Sequence, residues 1–237
     1  MRIAQFALDF NRASLAKAVC DTICLGRCRS ALFASRALSQ LKIVCRTKKQ
    51  GWNQGVKFTE TEIPGAWVIG LDKRVDERGY FARVWCQHEL ESHGLNGACV
   101  QVNTALSPMA GTLRGMHFQL PPHAEVKIAR CLRGAAFDVL IDLRPESPTF
   151  RRWYGVTLTP DSGEMLYVPE GCAHGYLTLA DETEVMYFTS HIYAAGAARG
   201  VRYDDPAFEI HWPAEIRVVS GADKSWPDFQ FSKETNK

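Results

Sequence analysis

The chain has 237 residues, 46% hydrophobic and 23% charged, the profile of a soluble globular protein of one domain, or one domain plus a tail. No run of about 18 apolar residues occurs, so nothing reads as a membrane span. The formal net charge is only +2, which gives no general case for nucleic-acid binding.

That small sum hides an asymmetry. Residues 1–55 hold 10 Lys/Arg against 2 Asp/Glu, whereas residues 56–237 hold 18 against 24. All 11 prolines and all 7 histidines fall after residue 55. The first 55 residues are rich in Ala, Arg, Ser, Leu and Cys, and they read as a poorly ordered or partly helical extension. Their Arg and Ser content with few acids also suits a mitochondrial-type transit peptide, and an upstream start-codon artefact would look the same. Cys20, Cys24 and Cys28 would share one stripe of a helix. A zinc site commonly adds His, and the segment has none. The four later cysteines, Cys86, Cys99, Cys131 and Cys172, have no C-x-x-C spacing and read as free thiols in a reducing compartment.

From Val56 the pattern changes to short β-rich runs split by Gly, Pro, Asp and Asn. Strands are expected near 66–71, 80–85, 99–104, 112–119, 126–132, 136–143, 154–158, 165–168, 175–179 and 184–190. Helical periodicity is confined to about 86–90. Runs repeating every 8–14 residues point to an all-β sandwich or barrel and argue against a parallel α/β fold. Two Gly/Pro corners have similar shape: Gly111 to His117, and Pro169 to His174. Each delivers a histidine at or near a strand. A jelly roll built from two Greek keys brings such corners into one cavity.

The chemistry follows from those corners. His117 can act as a base near neutral pH. Arg114 and Lys127 can hold phosphates or stabilise an oxyanion, and they are costly inside a barrel unless used. Strand alternation puts Arg114 and His117 on opposite faces. If both line the cavity, a bulge or strand end near Gly115 must intervene. Arg114 reads equally as a surface ion-pair residue, and for Tyr187 and Tyr193 packing is the default reading.

Pro169, Gly171 and His174 resemble the second half of the cupin signature. The first half normally carries two histidines and a carboxylate as metal ligands. Here only His117 stands in the expected stretch, with His123 and Glu125 further on, which weakens a three-ligand metal site.

The ordered set of segments 76–81, 101–103, 111–119, 138–144, 147–149 and 168–175, with Lys127, Asp205-Pro206, Trp212-Pro213 and Ser220-x-x-Asp223, resembles the dTDP-4-dehydrorhamnose 3,5-epimerase family. The likeness runs from about 56 to 229. It implies a metal-independent cupin-type double-stranded β-helix, or jelly-roll barrel, over 56–237, with few short helices and no cofactor. It also implies a nucleotide-linked 4-keto-6-deoxyhexose as substrate, with C3, C5 or both inverted through an enolate. His117 matches the base, Asp223 its carboxylate partner and Tyr187 the acid on the opposite face. Lys127 and His174 match groups that stabilise the enolate oxygen or bind the sugar. Arg78 and Arg114 match diphosphate contacts, Gln101 and Asn103 sugar or nucleotide contacts, and Tyr193 the base-stacking residue. The resemblance further implies a homodimer with exchanged strands, working in the cytoplasm without nucleic-acid or membrane partners.

Three positions depart from the family pattern. Arg83 and Ala198 stand where Glu is usual, and Ala222 where Lys is usual; all three concern nucleotide or phosphate binding. The competing readings are 3,4-ketoisomerisation on the same scaffold, a metal-dependent cupin dioxygenase or isomerase, and a non-catalytic sugar-binding cupin. The His117, Tyr187 and Asp223 set argues against the first and the last.

Overall fold

The computed structural model describes residues 55–230. The expectations for the 1–55 extension, its Cys20, Cys24 and Cys28 stripe included, lie outside the described residues but for Gly55. Fourteen strands and two short helices are described. In chain order they are β1 (Lys57–Glu60), β2 (Trp67–Gly70), β3 (Arg74–Asp76), β4 (Gly79–Phe81), α1 (Gln87–Ser92), β5 (Gln101–Ser107), β6 (Thr112–Gln119) and β7 (Lys127–Arg133). They continue as β8 (Ala136–Asp142), β9 (Trp153–Leu158), β10 (Glu164–Val168), β11 (Cys172–Thr178), β12 (Thr183–Thr189), β13 (Ala198–Gly200), β14 (Val218–Val219) and α2 (Gly221–Lys224). The all-β, cupin-like barrel expected from the sequence is the fold observed.

Two sheets form the body. One runs β1-β2-β10-β7-β12-β5; the other runs β13-β6-β11-β8-β9, with β14 added in parallel to β6. β3 and β4 make a separate hairpin. The order interleaves distant strands, as a jelly roll requires.

Alternation of side chains places the core. Ala129 and Cys131 of β7, Leu140 of β8, Leu158 of β9, and Leu166 and Val168 of β10 meet between the sheets. That filling lies toward the β2–β10 and β8–β9 side. The outer faces are covered too. Leu90 of α1 packs with Ile69, Ile128, Met165 and Tyr167 behind the first sheet. Val201, Phe208, Trp212 and Phe229 pack on Met116, Val139, Ile141 and Ala173 behind the second. Covering on both faces explains why every residue of β11 is buried, and why its sequence lacks clean alternation.

One expected strand is shorter than its sequence suggested. Within 80–85 pairing stops at Phe81, and Ala82, Val84 and Trp85 instead turn inward against the cluster under α1. β1, β3, β13 and β14 were not anticipated; they have two to four residues each and carry little alternation.

Candidate active site

Toward the β5–β12 and β6–β13 side the sandwich is not filled by apolar residues. It encloses a cavity of about 940 Å³ walled by both sheets. β5 contributes Gln101 and Asn103, β7 Lys127, β12 Tyr187, β6 Arg114 and His117, and β11 His174. Tyr193, on the loop after β12, and Asp223 of α2 line it as well. Nine of the ten residues singled out from the sequence therefore converge.

The bulge anticipated near Gly115 is present. His117 pairs with His174, but Arg114 pairs with Tyr176, so three steps along β6 match two along β11. The extra residue lets Arg114 and His117 face the same cavity. Gly115 has φ +134, and a Cβ there would fall 2.5 Å from the Gly175 Cα. Only glycine supplies both that backbone and that approach.

His117 and Asp223 form the most direct acid–base unit. His117 Nε2 lies 2.6 Å from Asp223 Oδ1. Asp223 is placed by the start of α2: the Ser220 hydroxyl caps the helix by accepting from the Asp223 backbone N–H at 3.0 Å. Its side chain is 8% exposed, while that of His117 is 45% exposed. Burial would raise the Asp223 pKa, but hydrogen bonding and charge from His117, with help from Ser220 and the Gly115 N–H, hold it below the usual carboxylate value. A carboxylate kept ionised beside an imidazole orients the ring and stabilises the imidazolium once a proton is taken.

A second pair lies deeper. His174 Nε2 is 2.8 Å from Asp138 Oδ1, and both side chains are buried. Asp138 Oδ2 has no protein partner. Tyr187 is half-buried, and its phenol pKa is raised, first by burial and then by the charge of Glu125. It stays protonated at neutral pH, as a proton donor must. Lys127 Nζ donates to the His117 carbonyl oxygen at 3.2 Å. The Arg114 guanidinium is held by the Ser107 hydroxyl and the Leu106 carbonyl oxygen, both at 3.2 Å. Gln101 accepts from the Tyr193 backbone N–H at 2.6 Å, and so positions the loop whose Tyr193 ring is 67% exposed.

Arg78 is the exception. It sits on the β3–β4 hairpin, paired with Asp76, and does not line the cavity of its own chain. Of the three departures, Ala198 and Ala222 line the cavity, while Arg83 pairs with Glu89 outside it. Sequence reasoning missed Trp226 and Arg199 on the cavity wall, and Asp138 as the partner of His174. Only the last had a signal: period-2 alternation in β8 puts a charged residue on an inward position beside Leu140. Among the described residues no three His, Cys, Asp or Glu side chains gather as a metal-binding group, and no helix is long and apolar enough to cross a membrane.

Fold and site together define a cupin-like barrel whose cavity is furnished for proton transfer on a polar, anionic ligand. The family model described as dTDP-4-dehydrorhamnose 3,5-epimerase matches residues 60–230. A curated relative of that description from Sinorhizobium fredii is 42% identical over 171 residues, 72% of this chain and 88% of the relative. One from Shigella flexneri is 39% identical, over 69% of this chain and 91% of its own. The crystal structure of the Bacillus anthracis enzyme, with TDP and PPi bound, superposes with a TM-score of 0.71 at 37% identity, covering 74% of this chain and 100% of that one. A 3'-monoepimerase from Streptomyces bikiniensis, in complex with dTDP-quinovose, gives a TM-score of 0.66 at 32% identity, covering 71% and 85%. The chain belongs to the dTDP-4-dehydrorhamnose 3,5-epimerase family.

Proposed function

We propose that this protein epimerises a nucleotide-linked 4-keto-6-deoxyhexose at C3, C5 or both. The observation that carries the reading is the His117–Asp223 contact of 2.6 Å in the same cavity as Tyr187. The 4-ketone acidifies the hydrogens on C3 and C5. His117 takes one, helped by Asp223. The electrons move into an enolate whose oxygen meets Lys127 and His174. Tyr187 returns a proton from the other face, which inverts the carbon. Arg114 faces the diphosphate, Gln101 and Asn103 the sugar or nucleoside, and Tyr193 stacks on the base. Acid–base groups of this kind give about 10²–10⁴-fold each, and electrostatic stabilisation of the enolate adds to that.

The working unit in this reading is a homodimer. β5 is a sheet edge with Val102 and Leu106, and Val100 just before it, about half exposed, and the β3–β4 hairpin holds out Val75 and Tyr80. Long apolar edges of this kind are seldom left open. Exchange of the hairpin would carry Arg78 into a neighbouring copy, where it serves the diphosphate. Sedimentation at several concentrations tests the dimer; a monomer throughout removes it. The setting is the cytoplasm, where nucleotide sugars are made.

The test of function is incubation with dTDP-4-keto-6-deoxyglucose and with analogues on other nucleotides in D₂O. Proton NMR reads which carbon acquires deuterium and inverts. Deuterium at C3 alone, or at C3 and C5, assigns the reaction. No exchange with any of these sugars refutes the proposal.

A further inference from the structure

Glu125 lines the cavity, yet the chemistry above does not use it. It lies between β6 and β7, two residues before Lys127. Its side chain is 9% exposed. A carboxylate so withdrawn from water is costly unless each oxygen is engaged, and here each is. Oε1 lies 3.1 Å from Lys127 Nζ. Oε2 accepts from Gln119 Nε2 at 3.1 Å.

The two contacts lead in different directions. Lys127 is itself only 12% exposed. An ammonium has three protons and no acceptor. One goes to Glu125 and one to the His117 carbonyl oxygen, which leaves one for a ligand. Without those anchors a four-carbon stem would sample many positions. In the other direction, the two protons of Gln119 Nε2 are shared among Glu125 Oε2 and the carbonyl oxygens of His123 at 3.0 Å and Ile192 at 3.2 Å. Gln119 Oε1 accepts from the Ala194 N–H at 2.6 Å. Ile192 and Ala194 flank Tyr193. A continuous line of polar contacts therefore joins Lys127 to the Tyr193 loop on the cavity wall.

We infer that Glu125 is a positioning residue: it fixes the Lys127 ammonium where the C4 oxygen becomes an enolate, and ties that position through Gln119 to the Tyr193 loop. The inference rests on the epimerase reading. A neutral ketone oxygen draws little from a fixed ammonium; an enolate oxygen draws much. Displacing the ammonium therefore weakens the transition state more than the bound substrate. Its signature is a fall in kcat with KM nearly constant.

The experiment measures epimerisation kinetics and C3 deuterium exchange for four proteins: wild type, Glu125→Gln, Lys127→Met and the double variant. Glu125→Gln keeps the shape of the side chain and removes its charge. Its kcat should fall about ten- to a hundredfold, less than the 10²–10³ of deleting a stabilising donor outright, with KM within about threefold. The double variant should be no slower than Lys127→Met alone, because Glu125 acts through that lysine. Losses that multiply, or a raised KM at unchanged kcat, overturn the inference. Glu125→Asp keeps the buried charge on a shorter arm and covers the case in which the Gln variant does not fold. Its kcat should also fall, and wild-type turnover in that variant overturns the inference. A wild type inert toward every sugar refutes the epimerase reading instead, so the two failures are distinguishable.

Discussion

Asp223→Asn tests the proposed base most directly, because it keeps volume and hydrogen-bonding shape while removing one charge. In the wild type the Asp223 carboxylate sits 2.6 Å from His117 Nε2. When His117 accepts a proton, two opposite charges face each other. Unit charges about 4 Å apart at an effective dielectric near 20 attract by about 4 kcal/mol. His117 is 45% exposed, so water screens part of this, and ~2–3 kcal/mol is the appropriate share. At about 1.4 kcal/mol per factor of ten, the step slows by roughly 30- to 150-fold. The introduced amide can also present its N–H to the ring and select the wrong tautomer, which deepens the loss. The assay is single-turnover exchange of the C3 hydrogen with solvent deuterium. It reads proton abstraction without needing product release. His117→Ala combined with Asp223→Asn should be little worse than His117→Ala, since coupled groups are not additive. An Asp223→Asn enzyme within about threefold of wild type, or fully multiplicative losses in the double variant, would refute the pairing.

Tyr187→Phe should retain solvent exchange at C3 while losing net inverted product, read by NMR; normal product formation removes Tyr187 from the mechanism. Asp142 is fully buried, and although burial would raise its pKa, hydrogen bonds from Arg144, Ser147 and Thr149 hold it below 3.8. Its stabilisation is therefore complete above that value and is lost as pH falls through the depressed one, so Asp142→Asn should lower the melting temperature at pH 7 and flatten its decline below about pH 4. Gly175→Ala forces a Cβ to 2.6 Å from the Arg114 carbonyl oxygen, and thermal melting should show a loss of about 1–3 kcal/mol. A chain beginning near residue 50 should keep both melting temperature and kcat, because the family match begins at residue 60 and the cavity wall at residue 101; a collapsed melting transition would move the domain boundary.

What was legible in the sequence depended on range. β6, β7, β8 and β12 could be read because their patterns are local and bounded by Gly, Pro and Asp. The bulge at Gly115 was legible only as a condition: if Arg114 and His117 both lined the cavity, a bulge or strand end had to fall between them. Ser220-x-x-Asp223 was legible as a motif, but that it caps α2 and aims a carboxylate at β6 is a contact between residues 106 apart. The partnership of Asp138 with His174 spans 36 residues and was hidden for the same reason, whereas the Gln119–Glu125–Lys127 line is local in sequence and was hidden because the turn between β6 and β7 that gathers its side chains has no periodic pattern. Each residue has a bland reading alone, and only the fold shows that their inward faces meet. Arg78 is of another kind: it lies on the β3–β4 hairpin, away from the cavity of its own chain, a placement that the hairpin's weak alternation does not reveal.

The two histidine–carboxylate pairs are chemically alike and differ in depth, and depth separates their roles. His117 and His174 face each other across the β6–β11 ladder, so their Cβ atoms stand about 5 Å apart. Two groups so placed can address adjacent atoms of one ligand: the hydrogen on C3 and the oxygen on C4. The base must become charged on the way to the enolate, and His117 can do so, being half open to water and backed by Asp223. His174 is 7% exposed. Its Nε2 is committed to Asp138 at 2.8 Å, and with so little contact with water it is better suited to holding an oxygen than to exchanging a proton. The division of labour proposed here, with abstraction at His117 and oxygen binding at His174 and Lys127, thus follows from where the barrel admits water rather than from residue type.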